Sequence, residues 1–160
     1  MTAMLEIKNL SKTFNAGTIN EKVALDHIHL TLNEGDFVTV IGGNGAGKST
    51  MLNAVAGVWP IDEGAIILDG QNITGYPDFK RASLIGRVFQ DPMMGTAPDM
   101  QIIENLALAA RRGKRRTLKW GVTKREKDDY KEQLKILDLG LENLLTQKVG
   151  LLSGCQRQAL

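Results

Sequence analysis

The 160-residue sequence is short of cysteine, aromatic residues and long apolar runs. Its one cysteine, Cys155, has no second thiol with which to close an internal disulfide, which suits a reducing cytosol. No apolar run approaches the roughly 18 residues that a membrane-spanning helix needs. The opening stretch from Met1 to Lys8 meets charged residues too early for a secretory signal. Disulfide-scaffold, secreted and integral-membrane classes are thereby excluded. The remaining composition, with 42% hydrophobic and 24% charged residues, is that of an ordinary globular domain rather than a disordered or collagenous chain. A chain of this length buries roughly 70% of its unfolded surface without covalent staples, and the length predicts one domain.

The net charge of +2 is unevenly spread. Between Arg111 and Lys127 stand nine Lys or Arg residues and one acid, Glu126, so a single segment is basic and the rest is mildly acidic. That window holds one aromatic residue, Trp120, too few for a nucleic-acid stacking platform. A solvated face explains it best, with anionic lipid or nucleic acid as the alternative.

Hydrophobic periodicity predicts an α/β chain. Leu5–Leu10 and Ile28–Leu32 alternate as half-buried strands. Asp36–Ile41 and Ile85–Phe89 are short apolar runs of the kind found in buried strands. Ala65–Asp69 is a further strand between glycine turns. Helical spacing appears from Lys48 to Gly57 and from Met100 to Ala110, where Asp99 is the expected N-cap and Ile102, Ile103, Leu106 and Ala110 the apolar face. A last helix is predicted over Lys124–Asp138, with Leu134, Ile136 and Leu137 as its apolar residues. His27 and His29 flank Ile28 without a metal-spaced partner and are read as structural.

The most specific motif is Gly42-Gly43-Asn44-Gly45-Ala46-Gly47-Lys48-Ser49-Thr50, which fits G-x-x-x-x-G-K-[ST] at every fixed position. Glycines let backbone N–H groups wrap a phosphate chain, Lys48 supplies a charge to the β and γ phosphates, and Ser49 can ligate Mg²⁺. The loop lies between a predicted strand and a predicted helix, whose N-terminus favours anions. A nucleoside triphosphate is the expected ligand.

A second motif, Leu152-Ser153-Gly154-Cys155-Gln156-Arg157, stands far downstream. Here the sequence resembles the ATP-binding subunits of ABC transporters, whose signature is L-S-G-G-Q. Gln90 in Val88-Phe89-Gln90-Asp91 is similar to that family's Q-loop, and Phe14 to the aromatic that stacks on adenine. Thr50, Asp69-Gly70 and the Glu34-Gly35 turn follow the same pattern. The resemblance implies an ABC-type P-loop NTPase with an N-terminal antiparallel β subdomain, a partial RecA-like core and a helical subdomain, divided as 1–92 and 93–160.

It further implies a head-to-tail dimer with a second ATP-binding subunit. In that dimer Ser153, Gly154, Cys155 and Gln156 face the γ-phosphate held by the partner's phosphate loop. ATP and Mg²⁺ are the implied cofactors, with Lys48 and Gln90 serving catalysis and Ser49 and Gln90 the metal. Permease subunits are the implied membrane partners, joined by a solute-binding protein in an importer. The implied location is cytoplasmic, on the inner face of the cell membrane.

The sequence departs from the family pattern in two ways. The Walker B strand, catalytic carboxylate, D-loop and switch histidine that follow the family's signature have no counterpart before Leu160, so the stretch reads as the N-terminal part of an ATPase subunit with the last part of its core missing. Cys155 replaces the second signature glycine; were that position to need positive φ, the strain would be about 1–2 kcal/mol. The guanine-reading N-K-x-D and the D-x-x-G switch of GTPases do not occur. A soluble ABC-class ATPase acting on ribosomes or nucleic acid, and a non-hydrolysing remnant, are the alternatives to ATP-driven transport of a small solute.

Overall fold

Antiparallel pairing organises the first half of the chain. In the computed structural model, which describes residues 3–114 and 121–160, strands β1 (Leu5–Phe14), β2 (Lys22–Leu32), β3 (Glu63–Leu68) and β4 (Gln71–Asn72) form a sheet in the order β2-β1-β3-β4. Both long strands outrun the alternation that predicts them, because bulges reset it. Asn9 and His27 take positive φ where the β1–β2 register shifts, so that Ile7 and Leu10, three apart, both reach the core. The histidines serve these irregularities: the His27 amide donates to Ser11 Oγ at 3.1 Å and His29 Nδ1 accepts from the Asn9 amide at 3.3 Å.

Helix α1 (Lys48–Ala56) lays Ala54, Met51 and Val55 against Ile7, Leu10, Leu25, Ile66 and Ile73. It stops at Gly57, whose φ of 82° allows the Gly57 amide to donate to Ala54 O and the Val58 amide to Asn53 O. That pair of bonds is a Schellman turn. A short helix, α2 (Asp78–Arg81), then delivers Arg81 beneath this turn. Arg81 is 3% exposed. Its guanidinium donates to Ala54 O at 2.8 Å, Val55 O at 2.9 Å, Tyr76 O at 2.9 Å and Thr74 O at 2.7 Å. A buried cation thus meets the negative end of α1 and four carbonyls. Burial pulls its pKa down from the ordinary arginine value.

Two expected strands do not form. Asp36–Ile41 and Ile85–Phe89 are irregular, with Phe37 94%, Ile41 89% and Val88 80% exposed. A buried parallel strand needs hydrogen-bonded neighbours and covered faces, and no strand among the described residues pairs with either run.

Chain contacts divide the molecule into Met1–Ile85 and Gly86–Leu160. The second unit is helical: α3 (Ile102–Ala110), α4 (Lys124–Lys135) and α5 (Gly154–Ala159). Its core joins Ile102, Ile103 and Ala107 of α3 and Tyr130 and Leu134 of α4 to Leu141, Leu145, Val149 and Leu152. The expected α3 face shifts: Ala107 is buried and Ala110 exposed. Gln101, not Asp99, caps α3, because Met100 and Gln101 are drawn into extended pairing with Lys148 and Val149. On α4 Leu134 alone of the three expected apolar residues is buried; the helix ends at Lys135, and Ile136 and Leu137 beyond it are exposed. Of the basic window, Arg111 Nη2 reaches Glu126 at 3.4 Å, whereas Arg115, Arg116, Lys119 and Trp120 lie outside the described residues.

Arg81→Met takes the guanidinium donor from Val55 O, Tyr76 O and Thr74 O, leaves Ala54 O with the Gly57 amide alone, and removes a charge from the helix end. The expected loss of unfolding free energy is about 2–4 kcal/mol, read from urea denaturation, with Arg81→Lys recovering part of it. A loss under about 0.5 kcal/mol, the range of an ordinary surface substitution, would contradict this role.

Candidate functional site

The glycine-rich loop is held at its helical end by close packing. Gly47 has φ of 83°, and a Cβ there would stand 2.3 Å from Ala24 O and 3.2 Å from Leu25 Cδ2. No other residue fits that approach of loop to β2. Gly45 also has positive φ, at 82°, and Gly43 has no neighbour within 4 Å of a Cβ position. The first N–H groups of α1 have no intrahelical acceptors, and no side chain caps this end. Lys48 folds back across the loop, its Nζ donating to Gly42 O at 2.6 Å and Gly43 O at 2.7 Å. Ser49 is exposed and Thr50 half-buried in the same first turn. A glycine-lined, uncapped helix start with an ammonium over its mouth is a cradle for a polyphosphate, and a hydroxyl beside it can take a divalent cation.

Two residues that pattern reading overlooked belong to this region. Lys22 pairs directly across from Phe14 in the β1–β2 register, and its Nζ lies 3.5 Å from a Cβ built on Gly45. It adds a second positive charge beside the loop. Trp59 meets Phe14 edge to face, with ring centroids 5.4 Å apart and planes at 85°. Neither carries a motif; cross-strand register and the reach of the chain after α1 place them.

Phe14 itself is half-buried at the end of β1, with Lys12 Nζ 5.6 Å from its ring centre. Asp62 anchors this end of the strand, accepting from Lys12 Nζ at 2.7 Å and from the Thr13 amide at 2.6 Å. The Lys12 hydrogen bond, then the Thr13 amide, hold the Asp62 carboxyl below the usual aspartate range.

The remaining candidates lie in the second unit. Gln90 is exposed in a bend just before a short 3₁₀ turn at Pro92–Gly95. Ser153 caps α5: its Oγ accepts from the Gln156 amide at 3.3 Å, while Gln156 Oε1 accepts from the Ser153 amide at 3.2 Å. Gln156 Nε2 donates to Leu139 O at 3.3 Å. Arg157 reaches back to Val149 O at 3.3 Å, Gly150 O at 2.9 Å and Leu152 O at 3.0 Å, bracing the stretch that leads into Ser153. Cys155 is exposed in the first turn of α5 and does not have positive φ, so the expected backbone strain does not arise. Among the described residues no cluster of His, Cys, Asp and Glu could by itself hold a metal, and no helix is long and apolar enough to cross a membrane.

The family model for ABC transporters matches residues 25–160. Over 157 residues the chain is 40% identical to the tyrosine transport ATP-binding protein of Clostridioides difficile, covering 98% of this chain and 62% of that protein. It is 35% identical over 158 residues to a spermidine/putrescine import ATP-binding protein of Haemophilus influenzae, covering 98% of this chain and 38% of that one. Among solved structures, a nucleotide-free ATP-binding cassette of an ABC transporter superposes with a TM-score of 0.72 at 30% identity, over 98% of this chain and 61% of that chain. A dimeric cassette in a post-hydrolysis state, bound to ADP and Pi, gives 0.77 at 29% identity, over 96% and 65%. The chain therefore spans less than two thirds of the length of these relatives.

Two outcomes follow from the geometry. Gly47→Ala forces a side chain into positive φ and against Ala24 O; ATP affinity measured by calorimetry is expected to fall roughly tenfold or more. An unchanged affinity would show that the loop shape is not needed. The Asp62 anchor has a depressed pKa, so its stabilisation is present at neutral pH. It begins to be lost as pH falls through the ordinary aspartate value and is gone below the depressed one. Melting curves of the native protein and Asp62→Asn should differ at pH 7 and draw together in acid; a difference that does not shrink as pH falls below the ordinary aspartate value would refute the assignment.

Proposed function

The chain belongs to the ABC transporter family, and on that premise we propose that it forms the ATP-binding part of a subunit that powers transport of a small solute. The carrying observation is the uncapped start of α1, lined by Gly43, Gly45 and Gly47 with Lys48 drawn across it. Loop amides and Lys48 hold the β and γ phosphates, Ser49 would take Mg²⁺, Thr50 completes the first turn, and Phe14 receives the adenine. Mg²⁺, when bound, neutralises charge on the phosphate oxygens. The packing that fixes Gly47 against β2 supports this arrangement, since it sets the loop before any ligand arrives.

Gln90, exposed in a bend of the second unit, would serve the metal and the attacking water, as its likeness to the family's Q-loop supports. Ser153, Gly154, Cys155 and Gln156 approach the γ-phosphate bound to a second ATP-binding subunit in a head-to-tail pair; the dimeric cassette supports the pairing. Closure around ATP and release after hydrolysis then drive permease subunits from the inner face of the membrane. The names of the tyrosine and spermidine/putrescine relatives support a small nitrogenous solute, and the second name supports import; an importer would add a solute-binding protein.

Lys48→Ala removes the ammonium from the phosphate cradle. ATP binding is expected to weaken about 10- to 100-fold, with solute uptake lost in cells carrying the variant. Undiminished ATP affinity would overturn the assignment of the loop; retained uptake would overturn the transport role.

A further inference from the structure

We propose that Trp59 and Asp62 are positioning residues for the nucleobase: together they set the Phe14 ring as a preformed platform, without taking part in phosphate binding. The inference rests on the reading of Phe14 as the adenine-stacking residue. The segment that follows α1 is built against the end of β1 at three points. The Asp62 amide donates to Ser11 O at 3.0 Å, its carboxylate accepts from the Thr13 amide at 2.6 Å and from Lys12 Nζ at 2.7 Å, and the Trp59 ring stands perpendicular to Phe14. Thr13 is the residue before Phe14, so the Asp62 carboxylate fixes the backbone from which the ring projects. The Lys12 side chain is itself 12% exposed and lies over the Phe14 ring. A ring held by a perpendicular aromatic partner and a neighbouring cation cannot rotate freely, and stacking on a fixed ring loses less entropy than stacking on a mobile one.

This platform is tied to the phosphate loop by two routes. The first is the α1 helix: the Val58 amide at 2.9 Å and the Trp59 amide at 3.4 Å both donate to Asn53 O, so Trp59 leaves directly from the helix whose other end carries Lys48. The second is Lys22, which pairs across from Phe14 and approaches Gly45. The spacing between base and phosphates is thereby set within one unit of the chain. A ligand with both halves gains from it, and a bare polyphosphate does not.

The test compares Mg²⁺-ATP with Mg²⁺-tripolyphosphate by calorimetry on the full chain and on Trp59→Leu, Trp59→Phe, Asp62→Asn and Phe14→Ala. Trp59→Leu and Asp62→Asn are expected to weaken ATP about three- to tenfold while leaving tripolyphosphate unchanged, with Trp59→Phe restoring most of the loss. Equal weakening of both ligands would reduce Trp59 and Asp62 to structural residues, and unchanged ATP binding would remove them from the site; either overturns the inference. Phe14→Ala separates the two levels. Should it leave the ratio of the two affinities unaltered, the base-stacking role of Phe14 itself fails. Should it alone lower that ratio, the platform stands and the positioning roles fall.

Discussion

Everything at the phosphate loop depends on one short helix whose two ends are treated in opposite ways. At its start α1 has no side-chain cap and a left-handed glycine pressed against β2, which leaves the donors of the first turn turned toward whatever anion the loop encloses. At its end every means of satisfaction is used: a Schellman turn at Gly57 and a buried guanidinium from Arg81. An open end must be held still by something other than its own cap. The sheet core under Ala54 and the Arg81 cluster supply that restraint, so the stability of one end underwrites the openness of the other. Gly57 serves the same purpose twice, since a Cβ there would come within 3.0 Å of the Arg81 side chain as well as straining the turn.

The helical unit solves the same problem in the reverse sense. At α3 Glu104 Oε2 accepts from the Gln101 amide, and the two later helices begin with a reciprocal cap: Thr123 with Glu126, and Ser153 with Gln156. In the last pair the capping residues are also the ones proposed to meet a γ-phosphate. Ser153 Oγ lies 3.1 Å from Gln156 Oε1 as well as accepting from the Gln156 amide. Its hydroxyl proton is therefore committed within the cap, and an approaching phosphate oxygen has to compete with the Gln156 side chain for it. Gln156 remains held by Leu139 O, and Arg157 by the carbonyls ahead of Ser153. The cap can exchange one acceptor for another while its frame stays in place.

How much of this was legible in the sequence depends on how local each feature is. The glycine-rich loop and the helix it opens are set by residues within a few positions of each other, and α1 begins at Lys48 as the spacing predicts. The roles of Arg81, Lys22, Trp59 and Asp62 come from contacts between segments distant in the chain, 26 and 27 residues apart in the case of Arg81, and no periodicity marks them. The bulges at Asn9 and His27 were hidden for a related reason: an extra residue is visible only against the partner strand's register. Asp99 was the better cap by residue type, yet pairing of Gln101 with Lys148 decided where α3 begins.

The two apolar runs that remain irregular show the same limit from the other side. Asp36–Ile41 and Ile85–Phe89 have the composition of buried strands, but a strand is a relation between segments, and composition states only one side of it. Cys155 is the converse case, where a family comparison suggested a backbone demand that the local geometry does not make. Its position lies within the first helical turn after the Ser153 cap, where φ is negative and a side chain is tolerated. What the thiol changes is therefore volume and polarity at the exposed start of α5. In the proposed pair with a second subunit, an effect of Cys155 would act through the volume and polarity of its exposed side chain and not through backbone strain.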